Sequence, residues 1–261
     1  MILSPTKWKT SQSISIKRNN FEVFTEAFES FNERRIDMLD LREIFGNFSE
    51  KSKKVFTNLM KKPDSSVKPQ FDGSLEILIL DRSGSMSESD YPPSRLDGAK
   101  MASKAFVKNV KKNNPENQIA VISFSSTARI ECMPLSTKEE FPRIISAIEG
   151  ISTDGFTAIG LALKKAESII TKYPSSYSPR IVLLTDGLNN EAPDPIDIAV
   201  RIKEKGVQID VIGIGGSPSD VDEDAMRKVA SVISGVVHYW FIKDVPSLVR
   251  KFEVLALREI K

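Results

Sequence analysis

Cysteine is almost absent. Cys132 is the only one in 261 residues, so no disulfide forms within the chain, which fits a reducing compartment. Histidine is as scarce, leaving His238 alone to serve any catalytic triad. No apolar run approaches the roughly 20 residues a bilayer span requires, and the stretch from Met1 to Lys9 lacks the apolar centre of a signal peptide. The expected location is cytoplasmic, with no membrane partner. A net charge of +2 is too small to argue for nucleic acid. The chain has no Gly-x-x-x-x-Gly-Lys-Ser/Thr segment, which argues against an ATPase. Gly213-Ile214-Gly215-Gly216 lacks the third glycine of a dinucleotide fingerprint. Ser83 and Ser85 lie outside any Gly-x-Ser-x-Gly elbow, and Cys132 reads as a small apolar packing residue.

What is present is a strong alternation. Leu75–Leu80, Ile119–Phe124, Ile181–Thr185 and Val207–Ile214 are near-continuous apolar runs, as in strands buried on both faces. Ala128–Met133 reads as an edge strand, and Val236–Ile242 closes the series. Helical patterns fall at about 95–112, 137–149, 158–171, 195–205, 222–232 and 244–258. The expected fold is α/β: a doubly wound, mostly parallel, Rossmann-like sheet flanked by helices, spanning residues 74–261. Residues 1–73 are expected to form a small helical N-terminal extension and a linker. There Phe21, Phe24, Phe28 and Phe31 recur at helical spacing, and Pro63 and Pro69 mark the linker.

The chemistry gathers at strand ends. Asp81-Arg82-Ser83-Gly84-Ser85 follows the first apolar run, Thr157 lies just before a helix, and Asp186 follows a later strand. In a doubly wound sheet the ligand site lies beyond the C-terminal strand ends, where strand order switches. Five oxygen side chains with no nitrogen or sulfur suit a hard divalent cation.

Asp81-x-Ser83-x-Ser85, the distant Thr157 and Asp186-Gly187 resemble the metal-ion-dependent adhesion site of the von Willebrand factor type A family, also seen in integrin inserted domains. Ser94 to Lys100 and the final strand and helix resemble the family too, over residues 74 to about 258. The resemblance implies direct coordination by Ser83, Ser85 and, with ligand bound, Thr157, while Asp81 and Asp186 act largely through water. It implies Mg²⁺ or Mn²⁺, with Ca²⁺ a further choice, and an open position for a Glu or Asp carboxylate of another protein. Phe156 departs from the family's small or polar residue: it either packs inward toward Ile159 or stands, with Tyr91, at an apolar rim that meets the partner.

Hydroxyls outnumber acids and no base is evident beside them, so the chain reads as an interaction module and not an enzyme. Its alternatives are a non-catalytic subunit of an ATPase or kinase-phosphatase complex, and a metal-dependent hydrolase.

Overall fold

Apolar residues on every position of a strand need two covered faces. The computed structural model describes residues 72–173, 176–189 and 191–257, and supplies both. Strand β1 (Gly73–Asp81) turns Leu75, Ile77 and Ile79 to one face and Leu78 and Leu80 to the other, all buried. Parallel neighbours β2 (Gln118–Phe124) and β4 (Tyr177–Thr185) flank it. Strand β3 (Ala128–Ser136) adds an antiparallel edge to β2, and β5 (Gln208–Ile214) pairs parallel with β4.

Helices α1 (Arg95–Asn113), α2 (Phe141–Glu149) and α6 (Val245–Ala256) cover one face, where Phe106, Ile148 and Phe252 meet Leu78 and Leu80. Helices α3 (Ile159–Lys172), α4 (Pro195–Glu204) and α5 (Glu223–Val229) cover the other, where Leu163, Ile198 and Met226 meet Ile77 and Ile79. The fold class is as the sequence predicts. Among the described residues no helix is long and apolar enough to cross a membrane. The helices expected within residues 1–71 and at 258 lie outside the described residues.

One strand differs from expectation. Val236–Ile242 is not continuous: Val232–Ile233 (β6) and Val236–Val237 (β7) pair as a small antiparallel hairpin, and only Tyr239–Ile242 (β8) joins β5. The cause is local. Ser234 and Gly235 both have positive φ, 51° and 79°, the backbone of a two-residue hairpin turn. The preceding helix ends at Val229, short of the expected 232, where Ala230 takes up extended backbone.

The sheet order is β3-β2-β1-β4-β5-β8. The chain leaves β1 toward β2 and returns to β4 on the opposite side, so the order switches between β1 and β4. Because Leu80 pairs with Leu184, Asp81 and Asp186 emerge side by side at that switch.

Candidate functional site

Asp81 is fully buried at the end of β1. Its Oδ1 accepts the backbone N–H of Ser83 (2.8 Å) and its Oδ2 accepts the Thr185 hydroxyl (2.6 Å). The loop then makes a short turn, Gly84–Ser87, which presents two hydroxyls to one space. Ser83 Oγ lies 3.1 Å from Ser85 Oγ, and Ser85 Oγ donates to Asp186 Oδ1 at 2.9 Å. Thr157 completes the group: a Cβ at Gly187 would lie 3.2 Å from Thr157 Oγ1, so the two loops touch there. The structure thus brings Asp81, Ser83, Ser85 and Asp186 into one hydrogen-bonded chain, with Thr157 beside the residue that follows Asp186.

The loop carrying Thr157 is pinned from both sides. Asp154 N donates to Arg82 O (2.7 Å), Gly84 N to Gly155 O (3.0 Å) and Ala158 N to Ser125 O (2.9 Å). Gly155 has φ +63°, and a Cβ there would meet Ser126 Oγ at 2.7 Å, so glycine is required twice over. Phe156 is left pointing outward, 64% exposed, and Leu188 beyond Asp186 is exposed as well.

Tyr91 corrects an expectation. It is not at the rim but 1% exposed, inserted against α1 and the start of α6. Gly98 opens the slot, since a Cβ there would fall 2.9 Å from Tyr91 Cδ1 and 3.0 Å from Val245 Cγ2. The ring gains apolar burial in that slot, while its hydroxyl meets no hydrogen-bond partner among the described residues.

Arg95 is the site residue that motif reasoning missed, although Ser94-Arg95-Leu96-Asp97 opens α1. Its Nη1 donates to Asp186 Oδ2 at 2.9 Å. The same guanidinium grips Asp90 through Nε (2.9 Å) and Nη2 (2.6 Å), and reaches Asp220 Oδ2 at 3.3 Å. The sequence signal was an arginine on the first turn of a helix that starts at the strand ends, where Ser94 caps Asp97 N.

One guanidinium does not balance the buried acids. Burial, then the Asp186 charge, pushes the Asp81 carboxyl up to about 7. Burial also raises Asp186, against the lowering pull of Arg95 and Ser85. Each carboxylate oxygen carries one protein donor and keeps a lone pair, and the serine hydroxyls keep theirs. That donor set fits a hard cation. Among the described residues, no group of three His, Cys, Asp or Glu side chains surrounds a metal position, so a cation here would rest on hydroxyls as well as carboxylates.

The raised Asp81 has a measurable consequence. In the folded state it holds its proton up to about pH 7, against 3.8 unfolded, so its contribution to stability is greatest below 3.8 and is lost as pH rises toward 7. In EDTA, raising the pH from 6 to 8 is expected to cost about 1.4 kcal/mol from this group, or about 3–6 °C in melting temperature. Asp81→Asn removes that share of the slope. Thermal melts across this range check it, and superimposable profiles for wild type and Asp81→Asn would refute the raised carboxyl.

Comparison with known proteins agrees with the fold. Residues 77–189 match the family model for the von Willebrand factor type A domain. A UPF0353 protein of Nocardia farcinica is 30% identical over 207 residues, covering 66% of this chain and 60% of that one. Another, from Mycolicibacterium paratuberculosis, is 27% identical over 207 residues, covering 69% and 59%. The chain therefore spans less than two thirds of either relative. Among solved structures, a von Willebrand factor type A protein from Catenulispora acidiphila has a TM-score of 0.59 at 27% identity, covering 70% of this chain and 42% of that one. Proximal thread matrix protein 1 of the mussel byssus, with a zinc-occupied MIDAS motif, has a TM-score of 0.57 at 23% identity, covering 72% and 46%; it shares the fold. These matches, with the architecture above, support a von Willebrand factor type A domain in this chain.

Proposed function

We propose that this chain is a non-catalytic protein-interaction module that holds Mg²⁺ or Mn²⁺, with Ca²⁺ a further choice, and captures a Glu or Asp of another protein. The observation that carries the reading is the Ser83–Ser85–Asp186 chain of hydroxyls and carboxylate at the switch in strand order, beside buried Asp81. Ser83, Ser85 and Thr157 would offer neutral oxygens, and Asp81 and Asp186 the negative charge. A cation so held would supply an open coordination position for an incoming carboxylate. Arg95 reduces the negative charge further, which favours an anionic guest over a second cation.

Exposed Phe156 and Leu188 flank the position and give a partner apolar surface to cover. The chain's single histidine supports a non-catalytic role: His238 Nδ1 is engaged by Asp210 at 2.7 Å, near the opposite end of the strands. The lone cysteine supports a cytoplasmic setting.

The test is capture from lysate on immobilised protein, in Mg²⁺ and in EDTA, with Ser83→Ala beside wild type. A partner held in Mg²⁺ is expected to fall by about 10–100-fold in EDTA and in the variant, the range typical of damaged metal sites. Partners retained equally in EDTA would sink the cation reading.

A further inference from the structure

Arg95 is nearly buried, yet its fork reaches carboxylates from three separate loops. Asp90 lies in the loop after β1, Asp186 after β4, and Asp220 after β5. Five N–H donors on a rigid plane are suited to such a junction. The contacts are unequal. Asp90 is held through two bonds, at 2.6 and 2.9 Å, and Asp186 by one of 2.9 Å. Asp220 is held only at 3.3 Å, the longest of the set. One positive charge is thus divided among three negative ones, and the share given to Asp186 is the share a cation would contest.

The β5 loop is built to register a change at Asp220. Asp220 Oδ2 accepts the backbone N–H of Ser217 at 3.1 Å as well as Arg95 Nη2, so a single oxygen serves the loop's turn and the guanidinium. Gly215, at φ +153°, lets the backbone pass close by: a Cβ there would lie 2.6 Å from the same oxygen. A Cβ at Gly216 would lie 3.1 Å from Asp90 Oδ2, so the loop also packs on Arg95's firmest partner.

We propose that Arg95 is a positioning residue that couples occupancy of the hydroxyl–carboxylate site to the loop after β5. The inference rests on the cation reading given above. With Asp186 facing only protein groups, Arg95 Nη1 neutralises it. When a divalent charge takes that role, like charges repel, and the guanidinium's hold moves toward Asp90 and Asp220. Arg95→Gln removes the competing charge, so such a chain binds the cation more tightly but no longer reports it to Ser217. Coupling is reciprocal: weakening the Asp220 end must weaken cation binding by the factor that cation binding strengthens that end.

The experiment is a Mn²⁺ titration followed by water-proton relaxation, which reads binding itself, with amide hydrogen exchange of residues 215–221 recorded alongside. Wild type is expected to bind Mn²⁺ with exchange at Ser217 slowed about fivefold or more, the low end of typical coupling. Asp220→Asn keeps an acceptor for Ser217 N, and is expected to bind Mn²⁺ more weakly by a similar factor. Arg95→Gln is expected to bind more tightly with no exchange response.

Mn²⁺ bound by wild type with exchange at 215–221 unchanged overturns the coupling while leaving the cation site standing. So does wild-type Mn²⁺ affinity in a folded Asp220→Asn chain. Absence of Mn²⁺ binding in wild type overturns the cation reading and this inference with it. The wild-type exchange measurement needs no variant to fold.

Discussion

Asp210→Ala is expected to lose about 3–5 kcal/mol of folding stability, the typical cost of stranding a buried charge. Strand register explains the size. Glu76, Arg180 and Gln208 are aligned across β1, β4 and β5, so a buried arginine sits between polar neighbours on the adjacent strands. Asp210 holds Arg180 Nε at 2.7 Å through Oδ2, which also accepts Gln208 Nε2 at 2.9 Å, and its Oδ1 engages His238. Arg180 Nη1 donates to Leu255 O at 2.8 Å.

The remaining acid is a poor substitute. Glu76 Oε2 lies 3.9 Å from Arg180, and burial raises the Glu76 carboxyl above its ordinary range. Among the described residues, Glu76 Oε2 and Arg180 Nη2 meet no hydrogen-bond partner, so the one spare acceptor stands beyond hydrogen-bond reach of the guanidinium. Urea unfolding measures the loss. Mn²⁺ binding in the same variant is expected to persist while it remains folded, because the cluster lies toward the other ends of the strands. A loss below about 1 kcal/mol would show that Arg180 finds another partner.

Gly160→Ala is expected to cost about 3 kcal/mol, at the upper end of overpacking, and to weaken cation binding as well. A Cβ on Gly160 would run into the Pro193 carbonyl oxygen, and backbone cannot give way as a flexible side chain can. Two loops meet there: the start of α3, three residues past Thr157, and the segment that follows Asp186. Asn189 Oδ1 accepting Ile159 N at 2.9 Å joins them at a second point. Forcing the two apart separates Thr157 from Asp186, so stability and binding fall together. Melting temperature and Mn²⁺ relaxation on one sample check both. Full stability with wild-type binding would show that the loop at 193 yields freely.

Legibility in the sequence followed the physics of each element. Apolar runs on strands covered on both faces are continuous, so β1, β2, β4 and β5 could be read directly, and with them the ends that carry Asp81 and Asp186. Asp-x-Ser-x-Ser is local in sequence, which made the hydroxyl pair readable too. Arg180 and Asp210 were not readable, because their partnership depends on which strands pair and in what register. Arg95 stood in plain view, yet three carboxylates spread over 130 residues converge on it only in three dimensions. Tyr91 was misplaced for a related reason: the glycine that receives its ring is on another element. The hairpin at 232–237 was hidden because Val232 reads as the end of a helix and Val236 as the start of a strand, and only the folded chain pairs them across Ser234-Gly235.

Tyr91 has a bearing on the order in which the molecule is built. Its ring and Val245, the first residue of α6, close on Gly98 of α1 from the same side of the core. Phe106 of α1 packs edge-on to Phe252 of the same last helix, with ring centroids 6.2 Å apart. These contacts join residues about 150 apart in the chain, and contacts of such separation form late because loop closure precedes their reward. During synthesis the strands and most helices can assemble before α6 emerges, but the slot around Tyr91 lacks its final wall until that helix arrives. A growing chain therefore completes the packing around Tyr91 only once α6 has emerged.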